Sequence, residues 1–440
     1  MTEETLAVLM VVALFGLILG GIPVPFALAT SGIVFGIAGF GLDLFNLLPL
    51  RLFGVATSYS LLAIPLFVFM GVLLEKSRMA ERMLEVIGHL AGKRAGGMAM
   101  AIVFVGVLMG ASTGIVAATV VTVGLITLPT LLHRNYDPRI ACGTICASGT
   151  LGQIIPPSLV LILLADITGE SVGTLFAAAL VPGLMLGLLY FVYILLMAWF
   201  RPARMPPIPA VERAEVSRKQ LLVDLVKVVV PPLALVVAVL GSIIGGVAAP
   251  TEAASMGALG ALLLVSMSGR MNYGVLRDTM DGTFKITGMT MFVLMCAQVF
   301  SLSFRGLGGD DLIDQLFEFL PGGMWGGLAF MMVLLFLLGF FLDWIEITYI
   351  VLPLLLPFFH AQGTDIIWLC MLVAMNLQTS FLTPPFGWSL FYLRGVAPPQ
   401  ISTGDIYRGV MPFIAIQAIG LLLVMMFPAI ATWLPNAIGW

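Results

Sequence analysis

Two segments of the sequence combine a doubled proline with polar residues inside an otherwise apolar stretch. The first runs Gly149-Thr-Leu-Gly-Gln-Ile-Ile-Pro-Pro-Ser158, and the second runs Leu377-Gln-Thr-Ser-Phe-Leu-Thr-Pro-Pro385. A proline lacks the backbone N–H, clashes with the preceding helical turn and pushes the residue before it out of the α region. Neither segment can continue as one regular helix, so each pattern predicts a helix broken into two halves.

The ends of such half-helices expose backbone groups that bind ions. The N-terminus of a half-helix presents free N–H groups and a positive dipole end to an anion, and the carbonyl groups that end the preceding half suit a cation. Because proline is favoured at the first position of a helix, each pair is expected to begin a new half-helix. A proline kink without any ligand is the alternative, and two breaks of the same kind favour binding sites. The residues predicted to meet an anion here are Pro156, Pro157, Ser158, Thr383, Pro384 and Pro385.

Each break follows a long apolar stretch that contains one polar turn. Residues 95–132 carry no charge and hold Gly110-Ala-Ser-Thr-Gly114 at their middle. Glycine is unfavourable inside a helix, and the hydroxyls of Ser112 and Thr113 can bond a ligand or the preceding helical turn. We therefore predict a binding site that includes Ser112, Thr113 and Gly114.

Residues 319–359 contain two acids, Asp343 and Glu346, among apolar neighbours. A charge deep in a membrane costs at least ~2.5 kcal/mol on insertion scales, so intramembrane acids default to a functional role. Asp343 is predicted to bind a ligand at the tip of this stretch, and an N-cap of the following helix is the alternative. The roles of Glu346, one turn further, and of Glu252, after Pro250, stay open.

The composition assigns these segments to a membrane. Of the 440 residues, 60% are hydrophobic and 10% are charged, against about 25% charged residues in soluble domains. A net charge of −3 provides no basic surface for nucleic acid. We predict an all-α polytopic membrane protein that contacts lipid and has no nucleic-acid partner.

The sequence offers no motif for enzymatic catalysis. It contains no Walker loop and no HExxH pattern. Its 4 Cys and 3 His show no metal-ligand spacing and no Cys/His pair. We therefore predict that the protein is not an enzyme and has no cofactor other than a coupling ion.

Stretches of about 20 apolar residues predict ten membrane crossings. They lie near residues 5–20, 24–41, 60–75, 141–165, 175–199, 228–245, 251–268, 286–304, 366–393 and 410–434. The stretches 95–132 and 319–359 are too long for one helix, and legs of about 16 residues reach only ~24 Å, short of a ~30 Å hydrocarbon core. We predict a re-entrant hairpin in each, and two tight ordinary crossings are the alternative.

The basic residues predict the orientation of these crossings. With the N-terminus outside, the inside loops hold 18 of the 20 Lys and Arg residues, as the positive-inside rule requires. Only Arg51 and Arg305 fall outside. The first hairpin then enters from the cytoplasm and the second from the outside.

The two halves of the chain match at an offset of 228 residues. Pro129, Cys142 and Pro156-Pro157 recur as Pro357, Cys370 and Pro384-Pro385. Five crossings in each half make the second half inverted. The predicted units are a first repeat (1–200, with hairpin 95–132 and broken helix 141–165), a cytoplasmic linker (201–227) and a second repeat (228–440, with hairpin 319–359 and broken helix 366–393). Inverted repeats with interrupted helices are typical of secondary transporters with a site near the midplane.

At these residues the chain resembles the large membrane subunit of a TRAP transporter, a tripartite ATP-independent periplasmic transporter of the DctM type. Besides the segments quoted above, the matching motifs are Pro65-Leu-Phe-Val-Phe-Met-Gly71, Pro250-Thr-Glu-Ala-Ala254, Leu342-Asp343 and Thr383-Pro-Pro-Phe-Gly387. Together they span residues 20–395. The family often has Ser-Gly-Ser at the first tip, where this chain has Ser112-Thr113-Gly114.

The resemblance implies an elevator-type transporter of a bacterial inner membrane that is driven by a Na⁺ gradient. It also implies two partners, a periplasmic substrate-binding protein and a small four-helix membrane subunit on a separate polypeptide. The expected substrate is an organic anion, a carboxylate that is imported, and the N-terminus is expected in the periplasm. The hairpins and the broken helices would move, and the outer spans of each repeat would form the scaffold.

Sodium fits the residue types at the two tips, because hard cations take oxygen ligands and transporters hold Na⁺ with unwound carbonyls. The expected sodium ligands are Ser112, Gly114, Gly149 and Gly152 at the first tip, and Asp343, Thr379 and Thr383 at the second.

Other functions remain as alternatives. The nearest is a stand-alone sodium- or proton-coupled carboxylate symporter or antiporter of the same superfamily. A channel would not need a broken inverted repeat, and an intramembrane enzyme would need a nucleophile–base pair.

Overall fold

The computed structural model describes residues 3–209 and 217–440, apart from the side chains of Ser112, Thr113 and Arg218. These residues form helices joined by short connections, and no strand occurs among them. Seven helical segments of this part are long and apolar enough to cross a membrane, and three bent helix pairs raise the number to ten. The prediction of an all-α polytopic membrane protein is therefore confirmed.

The first half of the chain contains the helices α1 (Glu3–Leu19), α2 (Val24–Phe40), α3 (Leu44–Ala56), α4 (Ala63–Lys76), α5 (Met79–Ala91), α6 (Gly97–Thr113), α7 (Val116–His133), α8 (Pro138–Thr150), α9 (Leu159–Thr168) and α10 (Val172–Phe200). Most of the predicted crossings lie within these bounds. Helix α3 was not predicted, because its 13 residues include Pro49 and Arg51 and are too few for a crossing.

The second half contains the helices α11 (Arg218–Val228), α12 (Val230–Ile244), α13 (Pro250–Met267), α14 (Tyr273–Gly306), α15 (Gly309–Glu318), α16 (Gly323–Leu338), α17 (Trp344–Ile350), α18 (Leu352–Ala361), α19 (Ile366–Leu382), α20 (Trp388–Val396), α21 (Thr403–Met426) and α22 (Ala429–Ala437). Helix α14 has 34 residues, so it begins well before the predicted crossing at 286–304. The predicted linker 201–227 lies partly outside the described residues.

Two helical hairpins lie within residues 97–133 and 323–361. The first hairpin consists of α6 and α7, and the second hairpin consists of α16, α17 and α18. Helices α6 and α7 have 17 and 18 residues, which corresponds to about 25 Å and 27 Å. Helix α16 is bent by 116° from α15 before it, and α17 by 50° from α18 after it.

Two broken helices follow the hairpins. The first broken helix consists of α8 and α9, and the second consists of α19 and α20. Both begin with an aspartate N-cap, since Asp137 accepts the Arg139 N–H and Asp365 accepts the Trp368 N–H. The two caps are 228 residues apart, which is the offset between the proline pairs. Both Pro–Pro peptide bonds are cis.

The prolines lie inside the breaks and do not start the second half-helices. Helix α9 begins at Leu159, and α20 begins at Trp388. The residues before them, Ser158 (φ −123°, ψ 137°) and Gly387 (φ −55°, ψ 120°), have the non-helical dihedrals of an N-cap. The expectation that each proline pair starts a helix is therefore wrong by two residues in the first break and by three in the second.

The first halves of the broken helices form the centre of the molecule. Helices α8 and α19 are buried along nearly their whole length, and they contact each other. Helix α21 packs against α8 so closely that a Cβ on Gly143 would lie 2.6 Å from the carbonyl carbon of Gly409. The breaks that follow α8 and α19 are therefore held by the best-packed part of the chain.

Candidate functional site

The tip of the first hairpin lies directly against the first break. Gly114 ends α6 in a left-handed conformation (φ +60°). A Cβ built there would lie 3.3 Å from the Leu159 nitrogen and 3.5 Å from the Pro157 oxygen. One helix turn earlier, a Cβ on Gly110 would lie 2.7 Å from the Gly152 Cα. The structure therefore places the predicted tip glycine beside the start of α9.

The remaining predicted residues of this first site lie in adjoining turns of the chain. Gly149 lies in the last turn of α8, and Gly152 lies in a single 3₁₀ turn that follows it. Ser112 and Thr113 belong to the last turn of α6, and their side chains lie outside the described part of the structure. The break is therefore bordered by backbone groups of the tip, which can supply carbonyl oxygens to a cation.

The second hairpin tip lies against the second break. The rings of Phe341 at the tip and Phe386 in the break have centroids 5.5 Å apart. A Cβ on Gly339 would overlap the side chain of Ser380 near the end of α19. The Asn376 side chain donates to the Met332 carbonyl oxygen over 2.7 Å and ties α19 to α16. Each hairpin tip thus lies against the break of one broken helix.

Asp343 caps the descending leg of the second hairpin. Its Oδ1 accepts the Trp344 N–H over 2.8 Å, and the Glu346 Oε2 accepts the Asp343 N–H over 3.0 Å. The N-cap alternative for Asp343 is therefore present in the structure. Glu346 is the one charged side chain that is buried within residues 3–209 and 217–440. The tip thus places two carboxyl groups within one turn of helix, and one oxygen of each accepts a backbone N–H.

The predicted hydroxyls use their hydrogens within the protein. Ser158 donates to the Gln153 carbonyl oxygen over 2.5 Å, Thr379 to that of Met375 over 2.8 Å, and Thr383 to that of Thr379 over 2.7 Å. A hydroxyl whose hydrogen is used can still accept or coordinate through its lone pairs. In this geometry these three oxygens suit a cation and do not donate to a carboxylate.

Among the described residues, no Lys or Arg belongs to either break. Every Lys and Arg side chain that the structure describes is at least partly exposed. Arg394, at the end of α20, donates to the Ile401 carbonyl oxygen in the adjoining connection. The groups left to meet an anion at the breaks are the N–H groups in the first turns of α9 and α20.

The sequence analysis missed a polar cluster between the two broken helices. Thr150 Oγ1 lies 3.4 Å from the Gln378 Nε2 and 3.4 Å from the Gln417 Nε2. Thr150 and Gln378 are 228 residues apart, so this contact joins matching positions of the two halves. Gln378 Oε1, Gln417 Oε1 and the hydroxyl of the buried Tyr190 have no hydrogen-bond partner among the described residues. Buried glutamines in apolar helices were the signal available in the sequence.

A second group that sequence reasoning missed centres on Asp166 in α9. Its Oδ1 accepts the Ser58 hydroxyl over 3.0 Å, and its Oδ2 accepts the Tyr349 hydroxyl over 2.9 Å. Ser58 precedes α4, and Tyr349 belongs to the second hairpin. Asp166 therefore connects an outer span, a broken helix and a hairpin, although the three lie far apart in sequence.

Paired hairpins that abut two broken helices inside an all-α membrane protein define a secondary transporter architecture. A family model described as "Tripartite ATP-independent periplasmic transporter, DctM component" matches residues 11–430. The chain belongs to this family, which confirms the resemblance seen in the sequence. It is therefore a large permease component of a TRAP transporter and a multi-pass protein of a bacterial inner membrane.

Curated relatives and a solved structure agree with this assignment. The chain is 31% identical to a C4-dicarboxylate TRAP transporter large permease protein DctM of Pseudomonas aeruginosa, over 91% of this chain and 92% of that protein. It is 29% identical to a protein of the same description from Vibrio cholerae, over 97% of each. The crystal structure of the YdaH transporter of Alcanivorax borkumensis shares the fold, with a TM-score of 0.58, 15% identity, and coverage of 90% of this chain and 89% of that one.

Proposed function

We propose that this permease imports an organic anion, a carboxylate, in a Na⁺-coupled and binding-protein-dependent manner. One observation carries the proposal: each hairpin tip abuts the break of one broken helix, at Gly114 beside Leu159 and at Phe341 beside Phe386. Two breaks with the same kind of neighbour offer two cation sites and two helix N-termini within one centre.

The first sodium ion is assigned to the tip and break of the first repeat, with Ser112, Gly114, Gly149 and Gly152 as ligands. The second is assigned to Asp343, Thr379 and Thr383. In support, the Thr379 and Thr383 hydroxyl hydrogens point to backbone carbonyls, so their oxygens are free to coordinate. Oxygen ligands of this kind suit a hard cation.

The carboxylate is assigned to the N-termini of α9 and α20, beside Pro156-Pro157-Ser158 and Thr383-Pro384-Pro385. A helix dipole contributes about 0.3–1 kcal/mol at exposed ends and up to ~2 kcal/mol when partly buried, so sodium must supply part of the attraction. Binding of the two ligands is then coupled, and each tightens the other by the same factor.

Transport is assigned to an elevator motion in which the hairpins and broken helices move against the outer spans. The tripartite family name supports two partners, which we propose to be a small four-helix membrane subunit and a periplasmic substrate-binding protein. Two relatives described as C4-dicarboxylate permeases support a carboxylate as the substrate class.

The test is uptake into liposomes that contain the permease, the small subunit and the loaded binding protein. The labelled probes are a C4-dicarboxylate, a 2-oxo acid and a sugar acid. Uptake of the accepted probe should collapse when K⁺ replaces Na⁺ at constant pH, and it should be poor when the binding protein is omitted.

Two outcomes would contradict the proposal. Full uptake in K⁺ with a proton gradient would make Asp343 or Glu346 a proton carrier in place of a sodium ligand. Robust uptake by this chain alone would support the stand-alone symporter or antiporter.

A further inference from the structure

A polar cavity of about 460 Å³ lies between α3, α14, the end of α9 and the second hairpin. We name it the outer cavity, because the positive-inside count assigns its rim to the outside. Its charged lining residues are Arg51, Arg305 and Asp166, and its polar lining includes Gln298 and Tyr349. The volume is within the range of about 300–1,000 Å³ that small-molecule sites occupy.

The two basic residues that break the positive-inside pattern both line this cavity. Only Arg51 and Arg305 fall outside when the 20 basic residues are counted by side, and both belong to the lining. Two unrelated exceptions to the positive-inside rule would not be expected to line the same cavity. The coincidence indicates that positive charge is retained there for a reason other than membrane orientation.

Of the two basic residues that line the outer cavity, Arg305 has partners within the described chain and Arg51 has none. Arg305 Nη2 donates to the Pro353 carbonyl oxygen over 3.0 Å, and its Nε lies 3.8 Å from Asp310 Oδ1. Both oxygens of Asp166 accept hydroxyl hydrogens, as described above. Arg51 is exposed and has no ion pair or hydrogen bond to any residue of the described chain. Arg51 is therefore an unpaired cation at the mouth of the cavity.

A counterpart cavity on the opposite side has different electrostatics. This inner cavity, about 800 Å³, lies between the first hairpin, the C-terminal end of α4 and the N-terminal start of α14. Ser77 in its lining and Arg305 in the outer cavity are 228 residues apart, the repeat offset. The two cavities therefore occupy matching places in the two halves.

Each basic side chain in the lining of the inner cavity has an ion-pair or hydrogen-bond partner. Lys76 lies 3.6 Å from the Glu75 carboxylate, and Arg78 lies 3.9 Å from that of Glu81. Arg270 donates to the carbonyl oxygens of two residues, Ser77 over 2.9 Å and Arg78 over 2.7 Å. The lining of the inner cavity holds three acids and three bases, and the outer cavity has two bases, with Asp166 in its lining and Asp310 beside Arg305. Among the residues that line the two cavities, an unpaired cation is therefore present on the outer side only, at Arg51.

We propose that the outer cavity is an anion-collecting vestibule in which Arg51 attracts a small carboxylate before it reaches the breaks. The inference rests on the proposed import of an organic anion and adds a place where the substrate waits outside the transport site. An unpaired charge at the mouth of a cleft raises the local concentration of the opposite ion. In the inner cavity each cation of the lining already has a partner, so a released anion meets no unpaired cation there.

The test measures the electrostatic field in the cavity without requiring transport. A single cysteine replaces Leu47, which lines the cavity one helical turn before Arg51 and is 50% exposed. The matched control is Val247→Cys, in a connection on the same side with 82% exposure. The four native cysteines are buried. Each variant is modified in reconstituted vesicles with a sulfonate-bearing and with an ammonium-bearing methanethiosulfonate.

A unit charge about 7 Å away in water changes the local concentration of each reagent about threefold, in opposite directions for the two signs. The ratio of anionic to cationic rate should therefore be about three- to tenfold higher for Leu47→Cys than for Val247→Cys. Adding Arg51→Gln should bring the two ratios together, and so should high salt, which screens charge over ~3 Å at 1 M. If Leu47→Cys does not fold, Leu50→Cys, also in the lining of this region, replaces it.

Equal ratios at the two positions would overturn the vestibule whether or not the permease proves to carry carboxylates. A high ratio that vanishes when anionic phospholipid is added to neutral vesicles would also overturn it, because a lipid phosphate would then occupy the cavity. If none of the three probes is taken up in Na⁺, or if uptake is full in K⁺, an intact ratio would leave the vestibule standing and reject the transport proposal alone.

Discussion

At the scale of single residues, Gly114 combines two properties that another residue cannot easily reproduce. Its φ of +60° lies in the left-handed region, which costs an L-residue roughly 1–2 kcal/mol. Its missing side chain also lets the tip approach Leu159 and Pro157. A side chain here would strain the backbone and push the tip away from the break.

A Gly114→Ala substitution should therefore impair sodium binding beyond the cost of backbone strain. Gly169→Ala is the matched control, because Gly169 has φ +75° and no atom within 4 Å of a built Cβ. Both variants should lose some thermal stability. Gly114→Ala alone should raise the Na⁺ concentration for half-maximal uptake by about fivefold or more, since ~1 kcal/mol is a factor of about 5. Equal sodium dependence in the two variants would show that the tip contact is not part of a sodium site.

Asp343 allows the capping role to be separated from ion binding. Asparagine caps a helix about as well as aspartate, so Asp343→Asn should keep α17 intact while it removes a charge. The Na⁺ concentration for half-maximal uptake should rise more than about tenfold, because a unit charge 4 Å away is worth ~4 kcal/mol at an effective dielectric constant of about 20. Asp365 is the N-cap of α19, and Asp365→Asn should leave the Na⁺ concentration for half-maximal uptake unchanged. Wild-type sodium dependence of Asp343→Asn would leave this residue with the capping role only.

The sequence predicted these residues to different degrees. Proline and glycine act on their own backbone, so the breaks and the tip could be located from residue type alone. The direction of a hydroxyl depends on the exact helical geometry around it, and nothing in the sequence indicated that Ser158 bonds the Gln153 carbonyl oxygen. Hydrogen-bond partners that lie far apart in sequence, such as Tyr349 and Asp166, depend on tertiary packing and were not predictable.

At the scale of elements, the two broken helices are joined by the cluster around Thr150. Its oxygen is the common acceptor for the amides of Gln378 and Gln417. A buried donor that loses its acceptor costs about 1–3 kcal/mol. This cluster thus joins matching positions of the first and second halves of the protein in its buried centre.

Replacing Thr150 by valine should therefore destabilise the protein by about 1–3 kcal/mol, because two buried amides lose their acceptor. Thr144→Val provides the control on the same helix. Both threonines are 0% exposed, but the Thr144 hydroxyl has no partner within the described chain, so its removal should be neutral or stabilising. Thermal unfolding in detergent would measure both variants. A larger loss for Thr144→Val than for Thr150→Val would contradict the role assigned to this cluster.

Element positions were predictable where hydrophobic length and proline determine them, as for the hairpins and the broken helices. The helix boundaries were less predictable, as the starts of α9 and α20 beyond the proline pairs show. Amphipathic and short helices such as α3 lack the length signal of a crossing. Their positions depend on packing against other elements, which a single sequence does not reveal.

At the scale of the whole molecule, the Asp166 hydrogen bonds link the parts that an elevator would move to the part that stays fixed. Ser58 precedes α4 among the outer spans, whereas Asp166 lies in the first broken helix. Tyr349, on the second hairpin, completes the link from the moving side. If the broken helices slide against the outer spans, the Ser58–Asp166 contact must break in every transport cycle.

Locking this contact should therefore stop transport. In a Ser58→Cys and Asp166→Cys double variant, the replaced oxygens are 3.0 Å apart, and Hg²⁺ should bridge the two thiolates. Uptake should fall to the level of protein-free liposomes after Hg²⁺ and return after excess dithiol. Each single-cysteine variant, treated identically, should keep its own uptake, since the four native cysteines are buried. Intact mass must show one mercury per chain, and a fully bridged protein that still transports would rule out relative motion of these two parts.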